Sequence, residues 1–254
     1  MADKKRYVLK NKRKHNIFIA VSALIVVSAI VACILLIQNA AEKRSSPIPV
    51  SSSASKAQTT AAPETTSAAA AVSVVFDTDS TYVSQHDYCI AVNRATNTVT
   101  IYGKDSSGTY NDPVKAMCCS VGKAGHETPV GTYKIALKYA WLKMVDDSYG
   151  QYACQFYQSW WIHSVTYYTQ DKSNIEYDEY NKLGTAASLG CVRLCVADAK
   201  WIYDNCGEGT IVKIFDGTAS DDPLGKPKAE TIDTKSANRG WDPTDPDPAN
   251  PWNS

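Results

Sequence analysis

Two side chains in this sequence have the chemistry for covalent acyl transfer. Cys191 lies in AASLGCVRLC, residues 186–195, directly after Ser188, Leu189 and Gly190. His163 stands earlier, in the aromatic run SWWIHSV. A thiol nucleophile needs a base to take its proton and donors to hold the oxyanion that forms. His163 is the candidate base, held at a sheet edge by the strand it ends. Gly190 allows a sharp backbone turn that presents amide N–H groups. A helix expected soon after Cys191 would add partial positive charge from its N-terminus and lower the thiol pKa. Taken alone, His163 fits a satisfied core histidine better than a base. Spacing by itself cannot bring it to Cys191.

The other cysteines frame that reading. There are eight in all. Cys33 sits in an apolar run and reads as an inert apolar residue. The other seven are Cys89, Cys118, Cys119, Cys154, Cys191, Cys195 and Cys206. An oxidising compartment would permit disulfides among them, and an odd number leaves at least one thiol over. Cys191 and Cys195 have C-x3-C spacing, but no second pair has zinc-ligand spacing. No metal or other cofactor is expected. Cys195 and Cys206 flank the expected helix, which would separate them by roughly 16 Å at its usual rise. A bridge needs Cα atoms within about 7 Å, so these two should not pair. Cys118 and Cys119 are adjacent on an expected strand and should face opposite sides.

The elements that must position the pair are mostly short strands. DYCIAVN and TVTIY flank RATN and read as a hairpin. PVKAMCCSVG and VGTYKIALKY read as two more strands around the loop KAGHET. CQFYQSWWIHSV reads as one aromatic strand, and TIVKIFDG as a late one. The helix is VADAKWIYDN, Val196 to Asn205, with Gly207 as its expected cap. Many strands and one helix imply a mainly-β sandwich or open barrel.

Both ends of the chain differ from this middle. Residues 1–16 hold seven Lys/Arg against one Asp, so they carry +6 in a chain of net charge zero. Residues 17–37 are 21 uncharged, mostly apolar residues, enough to cross a bilayer as a helix. The basic flank should stay cytoplasmic, placing the bulk outside. A cleaved signal peptide would have a shorter apolar region and an A-x-A-like site, which this sequence does not offer. The basic block beside a membrane segment gives no reason to expect nucleic acid as a partner. Of the 27 residues from Ser45 to Ala71, 22 are Ser, Thr, Ala or Pro, which is linker composition. The expected organisation is a basic cytoplasmic segment 1–16, a single-pass anchor 17–38, a linker 39–73, a folded domain 74–217 and a disordered polar tail 218–254. The tail ends in WDPTDPDPANPWNS, whose Pro and Asp content argues against order.

Some of these residues match a known pattern. His163-Ser164, then Ser188-Leu189-Gly190-Cys191-Val192-Arg193, resembles the catalytic motif of the L,D-transpeptidase (YkuD-type) family. GKAGHETPVGTYKI, residues 122–135, resembles a second hallmark, a strand ending in Gly and then a Thr-Pro-x-Gly turn. The resemblance implies an L,D-transpeptidase-like sandwich of mixed sheets, with the cysteine near a sheet end beneath a flap. It implies that Cys191 attacks the amide after the third residue of a peptidoglycan stem and releases D-Ala. An amine on a second stem would then take the acyl group, giving a 3→3 cross-link. His163 would form an ion pair with Cys191, and the Ser164 carbonyl would accept the other ring N–H. Backbone N–H groups around Leu189 to Cys191 would hold the oxyanion. Arg193 would either bind a substrate carboxylate or brace the cysteine loop through backbone carbonyls. Thr128 and Gly131 read as turn formers. Leu189 departs from the His often found there, and YYTQDKSNIEYDEYNK lengthens the gap before Ser188 into a candidate acceptor-side loop.

The resemblance also has rivals. An L,D-carboxypeptidase or a transferase that attaches proteins to the wall would share this motif. A sortase uses Cys, His and Arg, but SLGCVR fits its pattern poorly. A disulfide-stapled wall-binding module would pair Cys191 with another cysteine.

Overall fold

The computed structural model describes residues 74–253. The basic segment, the apolar run and the linker lie outside the described residues. Among the described residues, no helix is long and apolar enough to cross a membrane.

Two mixed sheets make the fold. The first joins β1 (Tyr88–Asn93), β2 (Thr98–Gly103), β3 (Asp112–Cys118), β4 (Gly131–Lys134) and β9 (Ile211–Phe215), in the order β3-β2-β1-β9-β4. β1 and β9 run parallel, and the other pairs are antiparallel. The second joins β5 (Leu137–Lys143), β6 (Tyr149–Tyr157), β7 (Trp160–Ser164) and β8 (Val192–Leu194), in that order, with β7 and β8 parallel. The expected β1–β2 hairpin forms, and Asn97 takes the left-handed conformation its turn requires, at φ 59°. β1 is apolar on both faces because both are covered. Ile90 and Val92 enter the core between the sheets. Cys89 and Ala91 pack the other way, with Phe76, Tyr82 and Tyr110. Tyr82 sits on α1 (Ser80–Gln85), whose first turn is capped by Asp79.

Two expected strands divide. VGTYKIALKY breaks between sheets: the Ile135 N–H donates to Thr210 O beside the first sheet, and the Ala136 N–H donates to Gln155 O in the second. No breaker residue marks the crossing, because the bend lets one strand serve both sheets. CQFYQSWWIHSV folds back on itself. Tyr157 pairs with Trp160, and Gln158 between them has φ 44°. The two polar residues Gln158 and Ser159 mark that turn inside an aromatic run.

α2 is a single turn (Tyr177–Tyr180), and α3 (Val196–Asn205) has the expected bounds. α3 buries Val196, Ala199 and Ile202, and the last two join the core between the sheets. Its cap is not Gly207. The extended residue Cys206 donates its N–H to Ile202 O, and the left-handed glycine is Gly209, at φ 90°.

The expected disorder from residue 218 is corrected by the structure. Ile232 and Trp252 pack with Val165, Tyr167 and Tyr180. Asp242 and Asp245 are fully buried. Composition alone misses this because these carboxylates serve as backbone acceptors rather than as solvated charges. Asp242 accepts the Val196 N–H at 2.8 Å and the Thr244 N–H and hydroxyl at 2.8 and 2.7 Å. The Asn250 amide donates to Asp242 O and Asp245 O at 2.9 and 2.8 Å. Lys172 reaches Asp247 at 2.7 Å. Asp turns and fixed proline φ angles order the segment without a core of its own.

Candidate active site

Parallel pairing of β7 with β8 brings the two reactive side chains together. In its register His163 lies beside Arg193 and Ile162 beside Val192, so Cys191 arrives at the strand that carries His163. Both line one cavity of about 200 Å³, with Trp160, Trp161, Leu189 and Arg193. The β5–β6 hairpin turn adds Val145 and Asp146 to the lining.

His163 is held in one tautomer. Its Nδ1 lies 2.6 Å from Ser164 O, and a carbonyl can only accept, so Nδ1 carries the hydrogen and Nε2 is left as the base. The Ser164 hydroxyl is also engaged. It accepts the Gln151 N–H at 2.9 Å and donates to Val165 O at 2.7 Å. Gly150 is a site residue that the sequence gave no reason to choose. A Cβ there would lie 2.7 Å from His163 Nδ1 and 2.6 Å from Met144 Cε. Only the bare backbone lets the imidazole lie flat on β6.

The cysteine loop is held from beneath. The Ser188 hydroxyl accepts the Gly190 N–H at 3.0 Å and donates to Cys191 O at 2.6 Å. Gly190 has φ 119°, and a Cβ on it would strike Trp160 Nε1 at 2.4 Å. The oxyanion expectation narrows accordingly: the Gly190 N–H is spent on Ser188, which leaves those of Leu189 and Cys191. Thr128 proves to be more than a turn former. Fully buried, it accepts the Gly122 N–H at 2.9 Å and donates to Gly190 O at 2.7 Å. A Cβ on Gly122 would meet His126 O at 1.9 Å, so the strand-ending glycine is obligatory. Further bonds join Val121 O to the N–H groups of Ala187 and Ser188, and Ser120 to Arg193 in both directions. Gly131, at φ 153°, keeps a turn-forming role.

Arg193 lines the cavity and is held by an ion pair. Its guanidinium is almost fully buried and pairs with Glu179 of α2 at 2.6 Å. Its charge acts on both reactive groups. Burial, and then Arg193, lower the His163 pKa to about 3. Burial raises that of Cys191, and the Trp161 N–H and Arg193 offset part of the rise. Asp146 opposes Arg193 at both sites. Burial thus disfavours the charged form of each group, while Arg193 favours the thiolate over the imidazolium. The first N–H groups of α3 are engaged by Asp242 and Thr244 of the tail.

Beside the cavity, and sharing Asp146, Leu189 and Arg193 with it, lies a wider polar trough of about 650 Å³. Glu176, Asp178 and Glu179 from the segment before Ser188 line it, with Lys123 and Lys182. All seven described cysteines, Cys191 among them, are free thiols. Cys119 enters the core while Cys118 lies against Gly184, so the adjacent pair does face opposite ways.

A family model described as the L,D-transpeptidase catalytic domain matches residues 87–214. A stretch of 53 residues is 51% identical to YciB of Bacillus subtilis (strain 168), which bears a provisional L,D-transpeptidase name. That stretch is 21% of this chain and 26% of YciB, so about a quarter of the relative's length is matched. L,D-transpeptidase 3 from Mycobacterium tuberculosis is 21% identical, with TM-score 0.41 over 51% of this chain and 61% of its own. An L,D-transpeptidase from Mycobacterium smegmatis is 18% identical, with TM-score 0.41 over 51% and 58%.

Proposed function

Because this chain belongs to the L,D-transpeptidase catalytic domain family, we propose that it forms 3→3 cross-links in peptidoglycan through an acyl-enzyme on Cys191. One observation carries the reading: a free thiol and a tautomer-locked imidazole line the same cavity. His163 Nε2 takes the thiol proton as Cys191 Sγ attacks the carbonyl of the third stem residue. The oxyanion is held by the Leu189 and Cys191 N–H groups. Collapse breaks the amide bond, and D-Ala leaves with the proton returned by His163. The acceptor amine then gives its proton to His163 and attacks the thioester. The new amide forms and the thiol is restored. Burial disfavours charge on both groups, which favours proton transfer that accompanies attack, as in general-base catalysis.

The donor tetrapeptide lies in the cavity, and the acceptor amine approaches from the carboxylate-lined trough. An ammonium is attracted there by Asp146, Glu176 and Asp178. Ser188 shapes the oxyanion loop, and Arg193 sets its electrostatics from the Glu179 pair. No cofactor enters the chemistry. The apolar run 17–37 and its basic flank motivate a further part of the proposal: a membrane anchor with the catalytic domain outside. Protease added to wall-stripped cells should then remove the domain and spare the first 16 residues, and a freely secreted form would rule the anchor out.

The activity is tested by incubating the chain with defined tetrapeptide muropeptides and weighing the products. Loss of D-Ala with gain of a cross-linked dimer is expected. Cys191→Ala should abolish it, and Cys191→Ser should come close. His163→Ala should slow it by roughly 10²–10⁴. Leu189→His should change it far less, because the oxyanion donors are backbone groups. Release of D-Ala by Cys191→Ala would refute the assignment, and a hydrolysed tripeptide as sole product would favour the carboxypeptidase.

A further inference from the structure

Two groups of aromatic rings adjoin the rim of the catalytic cavity, one reaching Tyr133 of β4 in the first sheet and the other lying on the outer face of the second. The first begins at Trp160, which stacks on Tyr157 with centroids 5.6 Å apart and 17° between planes. Tyr157 then meets Tyr133 at 4.8 Å. The second begins at Trp161, whose ring lies 5.7 Å from that of Tyr139. Trp160 and Trp161 both line the cavity, and Trp160 rests on Gly190, next to the nucleophile. The strand register explains the second row. Leu137 pairs with Gln155, and Gln155 with Trp161, so all three share a face with Tyr139. That face is open: Tyr139 is 45% exposed, Leu137 43% and Tyr157 38%.

The chemistry of this surface is one-sided. The groups beside the rings are amides. Gln155 donates to Gln158 O, and Gln158 donates to Tyr157 Oη at 3.1 Å. None of the residues in the two rows is charged. Lys143 shares the β5 face with Tyr139 and lines the cavity with Asp146, and the other charged groups around the site gather in the trough. Exposed aromatic surface of this extent is normally covered by a partner. Rings interleaved with amides suit a neutral partner with apolar faces and many hydroxyl or amide groups.

We propose that the two rows form a platform for the glycan strand, stacking its neutral N-acetylated sugar rings while the attached stem peptide enters the cavity. The inference rests on the stem-peptide reading above and extends it to the other half of the polymer. Continuity favours this occupant. A stem peptide joined to its sugar cannot bring its third carbonyl to Cys191 without bringing the sugar close to the rim.

The platform is tested in the full chain, with Cys191→Ala added to prevent turnover. Sedimentation with glycan strands stripped of their peptides measures binding. The double variant Tyr139→Ala, Tyr157→Ala should bind about tenfold more weakly, the scale of one or two lost ring contacts. The Tyr139→Phe, Tyr157→Phe pair should bind as the parent does. With Cys191 restored, the alanine pair should turn over a sugar-free tetrapeptide normally and show a raised KM for the disaccharide-linked one. Unchanged strand binding by the alanine pair would overturn the platform. So would parent protein that ignores stripped strands yet binds phosphatidylglycerol vesicles through these tyrosines. Failure to act on any stem peptide would refute the activity instead, and strand binding would still decide the platform.

Discussion

At the scale of single residues, burial is the largest influence on both ionisable groups of the site and works against their charged forms. His163 has a folded pKa of about 3 against an ordinary value of 6.5. Folding thus favours its neutral form. Its contribution to stability is fully present above pH 6.5 and is lost as pH falls from there toward 3. The base likewise stays available on acidification. The acid limb of kcat/KM for D-Ala release should lie well below the ordinary histidine range, and a profile over about pH 4 to 9 checks it. A limb near 6.5 would mean that the imidazole is solvated. Gly150 gives a second prediction. Gly150→Ala places a methyl group 2.7 Å from Nδ1 and must push the ring off Ser164 O. The rate should fall by roughly 10²-fold, the scale of a misplaced catalytic group, while Cys191 still reacts with a small thiol reagent.

At the scale of elements, the Thr-Pro-x-Gly turn and the cysteine loop are one unit. The Thr128 hydroxyl is the peg between them, bonded to both Gly122 and Gly190. Thr128→Val keeps the shape and removes the hydroxyl, leaving a buried N–H and a buried carbonyl unpaired. Each unsatisfied group costs about 1–3 kcal/mol. A lowered denaturation midpoint together with slower acylation of Cys191 is expected. Full activity would show that the backbone ladder from Ser120 to Ser188 suffices to hold the loop.

At the scale of the whole molecule, the last 36 described residues, 218–253, belong to the fold that carries the site. They cap α3, which follows directly from β8, and they cover the cluster around Tyr167 and Tyr180. Asp242→Ala removes that cap and should cost about 0.5–2 kcal/mol by thermal or denaturant melting. Ending the chain after Gly217 should cost more than this single variant, because it also uncovers Tyr167, Ile175 and Tyr180. A truncated chain as stable as the parent would show that the tail is merely seated on the domain.

The sequence by itself determined what depends on local chemistry. The β1–β2 hairpin was legible in alternation around RATN, and α3 in the spacing of Val196, Ala199 and Ile202. Cys191, His163 and the turn at Thr128 stood out because their residue types and order match a known motif. Only the tertiary structure decided what depends on contacts between distant segments. The crossing of one strand between sheets at Ile135–Ala136 leaves no mark, since either residue suits either sheet. Arg193 finds Glu179 through a short helix whose position no spacing predicts. Gly150 matters only because the imidazole lies on it. The tail reads as solvated by composition, yet Asp242 and Asp245 are buried, and Asp242 is held in part by the Val196 N–H of a distant helix. The burial of Cys191 and His163 was likewise out of reach, because it is set by everything packed around them.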